Sequence, residues 1–185
     1  DVSGKGVPAA LLMAVTRTVV RNLAQAGLAP GEIATRADAT LAADTNDSMF
    51  VTLFLCQYEP MSGRIRYVNA GHPRPLRVSP TSIAPFGEVT GPLMGVQCDG
   101  ALGPFIERED HLDAGESLLM FTDGVTEARS PSDQMLGEEG VLQIVKHHAN
   151  LDPTDLCEAI AADIEKFEDG RRHDDVTLVA LRRTT

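Results

Sequence analysis

Cysteine is scarce. Cys56, Cys98 and Cys157 are the only three in 185 residues, they lie far apart, and their number is odd. They make neither a disulfide framework nor a zinc pattern, and a reducing, cytoplasmic setting is the simplest reading. Basic charge is also short: 16 Lys and Arg stand against 27 Asp and Glu, a net charge of −11. A nucleic-acid binder needs a basic face for the phosphates, and anionic lipid would repel this surface. No nucleic-acid partner and no membrane contact are therefore expected. No apolar run approaches the roughly 18 residues that a spanning helix needs. Internal repeats, low-complexity tracts and long linkers are lacking too.

What remains suits one compact domain over residues 1–185, since 43% of the residues are apolar and a core of that size stands without staples. The first residue is Asp and the chain opens inside a motif, so the natural protein is expected to extend further at its N-terminus.

Pro8 sits where a first helical turn tolerates it. Residues 9–26, rich in Ala, Leu and Val, read as a helix that Gly27 stops. Its apolar character on most faces predicts a largely buried helix. Pro30 and Glu32 open a second helix, ending near residues 44–47. The pattern then changes. Residues 49–58 and 64–69 flank the turn Pro60-Met61-Ser62-Gly63 and read as a β-hairpin. Residues 73–78 are extended and 80–95 loop-like. Residues 117–122 form a buried strand ending on Asp123-Gly124. Residues 138–149 and 153–168 are two helices, and 176–181 a closing strand. Helices and strands come in blocks, which argues for an α+β fold with antiparallel sheets and against a doubly wound parallel sheet.

Three acidic sites fall at strand ends or in tight turns: Asp1-Val2-Ser3-Gly4-Lys5-Gly6, Thr122-Asp123-Gly124 and His173-Asp174-Asp175. Short-stemmed carboxylates beside glycine can converge from distant parts of a chain at a sheet edge. Such hard oxygen donors suit Mg²⁺ or Mn²⁺, and a pair of these ions can activate water for in-line attack on a phosphate. Taken singly, each site is also the ordinary signature of a turn or of a solvated strand end. Residue pattern alone stops at an α+β domain with a candidate acidic metal site.

The words around these acids say more. DVSGKGVPAALLMA, MFVTLFLCQYEPMSGRIRYVNAGHPRPL, LLMFTDGVTEAR and HDDVTLVAL occur in that order across nearly the whole chain. They resemble the SpoIIE/RsbU-type branch of the metal-dependent type 2C protein phosphatases, the PPM superfamily. The resemblance implies an αββα sandwich of two antiparallel β-sheets flanked by helix pairs. It implies a protein serine/threonine phosphatase that uses two Mn²⁺ or Mg²⁺ ions and a water they activate. It implies a phosphorylated anti-sigma-factor antagonist, a small STAS-domain protein, as substrate in a partner-switching pathway.

Residue by residue, the resemblance implies that Asp1 bridges both ions and that the Val2 carbonyl helps to hold the first. Asp123 and Asp174 would hold the second, with Asp175 the less favoured of the acidic pair. Gly4 and Gly6 would let the turn pass close to the ions. Carboxylates at this density repel, so the site should be loose without cations, and metal should stabilise the fold. The family carries a further acidic motif of the form GGD on an earlier strand. This chain starts after that position, so a domain lacking its first strands is expected, with a sensor or receiver region upstream.

Other residues keep two readings. Lys5 stands where many relatives have His, either near the phosphate or as a solvated turn lysine. His72, in Asn69-Ala70-Gly71-His72, is a candidate proton donor or, more simply, a turn histidine bonded to backbone. Adjacent on a helix, His147 and His148 point apart and read as surface residues. Cys56 reads as a small core residue, and Met13 as a core or interface filler. Arg171 and Arg172 could meet a phosphoprotein or simply be solvated. The paired helices of residues 9–44 are expected to form a regulatory or homodimer surface. The alternative to an enzyme is a degenerate phosphatase domain that binds the same partner without hydrolysis. A phosphatase for small molecules is a third possibility.

Overall fold

The structure, a computed structural model, describes residues 1–44, 49–96, 103–171 and 173–184. In chain order its elements are α1 (Val7–Gln25), α2 (Pro30–Asp44), β1 (Leu53–Tyr58), β2 (Arg64–Ala70), β3 (Leu76–Val78), β4 (Ile83–Pro85), β5 (Arg108–His111), β6 (Ser117–Phe121), α3 (Asp123–Thr126), α4 (Gly137–His148), α5 (Pro153–Phe167) and β7 (Leu178–Arg182). Two compact units contain them: Asp1–His72 with Glu88–His111, and Pro73–Gly87 with Leu112–Thr185.

In the first unit α1 and α2 accompany a sheet of order β1-β2-β5. The expected hairpin is present, with Leu53 opposite Ala70 and Tyr58 opposite Ile65. Its turn closes through Gly63 N–H to the Glu59 carbonyl at 2.8 Å. The third strand, β5, escaped the sequence reading because Arg-Glu-Asp-His has no apolar alternation. Backbone pairing with β2 holds it, Ile65 opposite Asp110. The ion pairs Arg64–Glu109 at 3.8 Å and Arg66–Glu107 at 3.7 Å flank that pairing.

The expectation that the first helix is largely buried is corrected. Only Ala9, Leu12 and Thr16 of α1 are buried, while Val7, Leu11, Met13 and Val15 are between 42% and 72% exposed. One stripe, spaced three and four residues apart, packs with Ala37, Leu41, Val51 and Ala70, and the opposite stripe is apolar without being covered. The expectation that no run has the length and composition of a membrane span is corrected by the same helix, which meets both. One stripe of that helix packs into the core of the first unit, and most of its apolar content lies outside that stripe. Met13, half exposed, is not part of the core.

In the second unit the sheet order is β4-β3-β6-β7, every pair antiparallel. Leu119 and Phe121 of β6 pack with Val141 and Val145 of α4 and with Leu156, Ile160 and Ile164 of α5. Asp152 caps α5, accepting from the backbone N–H groups of Thr154 and Asp155 at 2.9 and 3.0 Å. His148 is not a plain surface residue: its Nε2 lies 2.8 Å from Asp163 Oδ2, linking α4 to α5. Strand β4 falls in the stretch read as loop, and α3 is one helical turn where only a tight turn was expected. The α+β class stands, with two antiparallel sheets, each accompanied by a helix pair.

Candidate metal centre

In the first unit the motif that opens the chain is pinned to the residues just before β1. The Asp1 backbone nitrogen donates to the Thr52 carbonyl and Thr52 N–H returns the bond to the Asp1 carbonyl, both at 2.8 Å. Ser3 N–H donates to the Phe50 carbonyl at 2.9 Å, and Phe50 N–H donates to Ser3 Oγ at 2.8 Å. This antiparallel tie fixes Asp1 and Val2 against the sheet. Asp1 Oδ1 accepts the Val2 N–H at 2.7 Å, which orients the carboxylate. The chain then turns at Gly4 and Gly6, with φ of +85° and +81°. A side chain would strain that backbone. Lys5, between them, is exposed.

His72 follows β2. The buried Asn69 side chain brackets it, accepting from His72 N–H at 2.8 Å and donating to its carbonyl at 3.0 Å. The ring is engaged as well: Nδ1 lies 2.8 Å from Thr52 Oγ1. Thr52 therefore joins Asp1, through backbone, to His72, through its hydroxyl. Sequence reasoning missed Thr52, a polar residue in an apolar run whose only signal is that polarity.

In the second unit the two remaining acidic motifs meet. Asp123 is the first residue of α3, and its carbonyl accepts from Glu127 N–H at 2.8 Å and Thr126 Oγ1 at 2.9 Å. Thr122 just before it bonds to the loop entering β7: its hydroxyl donates to the Asp175 carbonyl at 3.1 Å and accepts from Thr177 N–H at 3.0 Å. Thr122 N–H donates to the Thr177 carbonyl at 3.2 Å. The approach is so close that a Cβ at Gly124 would collide with the Asp175 carbonyl oxygen and lie 3.5 Å from Asp174 Cβ. Asp174 Oδ1 accepts the Asp175 N–H at 2.9 Å, the same carboxylate-orienting bond seen at Asp1.

Asp123 and Asp174 thus share one unit, while Asp1 and Val2 lie in the other with His72 and Lys5. Among the described residues, no three His, Cys, Asp or Glu side chains stand together as a ready-made metal cluster. The donors within each unit nevertheless suit a hard dication in kind: in the first an oriented carboxylate beside a backbone carbonyl, in the second two carboxylates, one of them oriented by an N–H bond. Arg171 is exposed. Arg172 and Cys98 lie outside the described residues.

This fold is that of PP2C-type phosphatase domains. The chain superimposes with a TM-score of 0.82 on the crystal structure of the RsbU and RsbW domains of a Mycobacterium tuberculosis protein, at 29% identity, over 99% of this chain and 50% of that one. A more distant match, to the catalytic domain of the serine/threonine protein phosphatase PstP in complex with two manganese ions, has 14% identity and a TM-score of 0.68, covering 97% of this chain and 84% of that one. Residues 1–184 match the family described as Stage II sporulation protein E (SpoIIE), and the chain belongs to that family. The phosphoserine phosphatase RsbU of Bacillus subtilis (strain 168) is 28% identical over 184 residues, 99% of this chain and 54% of that protein. The chain therefore spans about half the length of that relative.

Proposed function

We propose that this chain is the catalytic domain of a metal-dependent protein serine/threonine phosphatase, hydrolysing phosphoserine or phosphothreonine on a protein partner. The observation that carries this reading is the tie between the Asp123 turn and the Asp174 loop through Thr122, which brings two candidate ligands from distant sequence to one end of the β6–β7 pair. Family membership and the likeness to RsbU support it.

In this reading Asp1, Val2 through its carbonyl, Asp123 and Asp174 hold two Mn²⁺ or Mg²⁺ ions. When bound, the ions supply positive charge to the phosphate oxygens and lower the pKa of water. The aspartates set the number and direction of the oxygen donors, and the short N–H bonds at Asp1 and Asp174 keep their carboxylates aimed. His72, fixed by Asn69 and Thr52, is the candidate for moving a proton on the leaving side, and Lys5 the candidate for meeting the phosphate. One family model running through both compact units supports treating residues 1–184 as a single domain.

The proposed substrate is a phosphorylated anti-sigma-factor antagonist of the STAS type, in a cytoplasmic partner-switching pathway, with an upstream sensor or receiver region in the longer protein. Support comes from the relatives, one named for RsbU and another carrying RsbU and RsbW domains together. The uncovered apolar stripe of α1 supports a homodimer. The test is hydrolysis of p-nitrophenyl phosphate and of a phosphorylated STAS protein by the full-length protein that carries this domain, with Mn²⁺ and then with EDTA. Turnover that EDTA abolishes is expected. Partner binding without metal-dependent turnover on either substrate would leave the binding-module reading in its place.

A further inference from the structure

Glu168 is a buried carboxylate outside the candidate ligand set. Its side chain is 3% exposed, and a buried charge is costly unless a partner meets it. The chain around it is folded so that one does. Glu168 ends α5, and beyond it Asp169 and Gly170 take φ of +51° and +74°. That reversal lets Arg171 N–H donate back to the Glu168 carbonyl at 3.1 Å. It brings His173 to the carboxylate: Glu168 Oε1 lies 3.4 Å from His173 N and 3.3 Å from His173 Nδ1. Both contacts lie at the long end of hydrogen bonding, and together they give the buried carboxylate polar partners on one residue, His173.

His173 immediately precedes Asp174. On the far side of Asp174, the Asp175 carbonyl is fixed by Thr122 at 3.1 Å. The ligand loop is thus suspended between two anchors, a buried acid behind and a hydroxyl ahead. Without the rear anchor Asp174 would keep its identity and lose its aim. We propose that Glu168 is a positioning residue, which holds Asp174 for its cation by gripping His173. This rests on the metal-dependent reading above and adds a residue that contacts neither ion nor phosphate.

The experiment measures Mn²⁺ binding directly, by electron paramagnetic resonance and calorimetry, in the full chain and its variants. Alongside it run the Mn²⁺ dependence of p-nitrophenyl phosphate turnover and the melting temperature without metal. Glu168→Ala is expected to weaken Mn²⁺ binding by about tenfold or more, the range for losing a partner that orients a ligand. Turnover at saturating Mn²⁺ should stay within about threefold of the parent, because the ligands themselves are unchanged. Glu168→Gln, which keeps an acceptor oxygen, should recover part of the affinity. His173→Ala, which leaves the backbone N–H as donor, should weaken binding by less than Glu168→Ala. Wild-type Mn²⁺ affinity in a folded Glu168→Ala or, should that variant not fold, in both remaining variants overturns the proposal. A parent chain that binds Mn²⁺ but hydrolyses nothing would sink the phosphatase reading and leave the binding comparison intact. A parent that binds no Mn²⁺ overturns both.

Discussion

The Thr122 hydroxyl donates to the backbone carbonyl of Asp175 across 3.1 Å. The same oxygen accepts from Thr177 N–H at 3.0 Å, so one side chain closes the gap between the strand end that carries Asp123 and the loop that carries Asp174. Valine has the same shape and lacks both bonds. Thr122→Val should cost about 1 kcal/mol in a denaturant titration, as expected for a partly exposed pair of hydrogen bonds, and should weaken Mn²⁺ binding. Thr122→Ser should retain both. Equal Mn²⁺ affinity in the Val and Ser variants would show that the hydroxyl does not organise the ligands.

Gly124 gives the same contact a steric test. Its Cβ position is taken by the Asp175 carbonyl oxygen, a backbone atom that no rotamer change can move aside. Gly124→Ala should therefore destabilise the fold by about 1–3 kcal/mol and push the Asp174 loop away from Asp123. Thermal unfolding and Mn²⁺ calorimetry on the purified variant measure the two effects. An unchanged melting temperature would mean that the loop lies further off than the structure has it.

Asp123 separates ligand charge from fold. The bonds to Thr126 and Glu127 run through its backbone carbonyl, so the side chain can lose its charge without disturbing α3. Asp123→Asn is expected to melt like the parent and to lose turnover by about 100-fold or more, since an amide oxygen is a poor substitute for a carboxylate beside a dication. Near-normal turnover at low Mn²⁺ would remove Asp123 from the ligand set.

The legible parts of the sequence were those in which side-chain pattern and local chemistry agree. The β1–β2 hairpin was marked by apolar runs about a Pro-Met-Ser-Gly turn, and the helix read over residues 153–168 is α5, Pro153–Phe167. The pairing of the Thr-Asp-Gly and Asp-Asp motifs was legible through word order. Strand β5 was not, because Arg108–His111 is held by backbone bonds to β2 and by ion pairs, and neither leaves a hydrophobic period. The open stripe of α1 was not legible either, since an apolar sequence says what could be buried and only the neighbours decide which face is. Thr52, Glu168 and the bonds made by Thr122 were missed for a shared reason: each works through particular hydrogen-bond partners, and residue type does not say which partners the fold will supply.

Cys56 makes a prediction in pH. Burial pushes its thiol up to about 11 from an ordinary value of 9.0. A thiol that holds its proton more tightly when folded favours the folded state below pH 9, and that contribution fades as pH rises from 9 toward 11. The urea midpoint should fall between pH 8.5 and 10.5 more steeply for the parent than for Cys56→Ala. Site-resolved alkylation at pH 8 should leave Cys56 unmodified in the native chain and modify it after unfolding. Parallel pH profiles for parent and variant would show that the thiol is not protected.

The last prediction concerns α1. Val7, Leu11 and Val15 recur every four residues and are 72%, 63% and 42% exposed, so they line one side of the helix while Leu12 and Thr16 face the core. A continuous apolar stripe on a surface helix gains by being covered, and a second copy of the same helix can cover it symmetrically. The full chain should therefore self-associate as its concentration rises. Leu11→Glu with Val15→Glu should oppose that by charge repulsion across a two-fold axis, at little cost to stability because neither side chain is in the core. Multi-angle light scattering reads the mass and small-angle scattering the shape. A parent that stays monomeric at high concentration excludes the dimer.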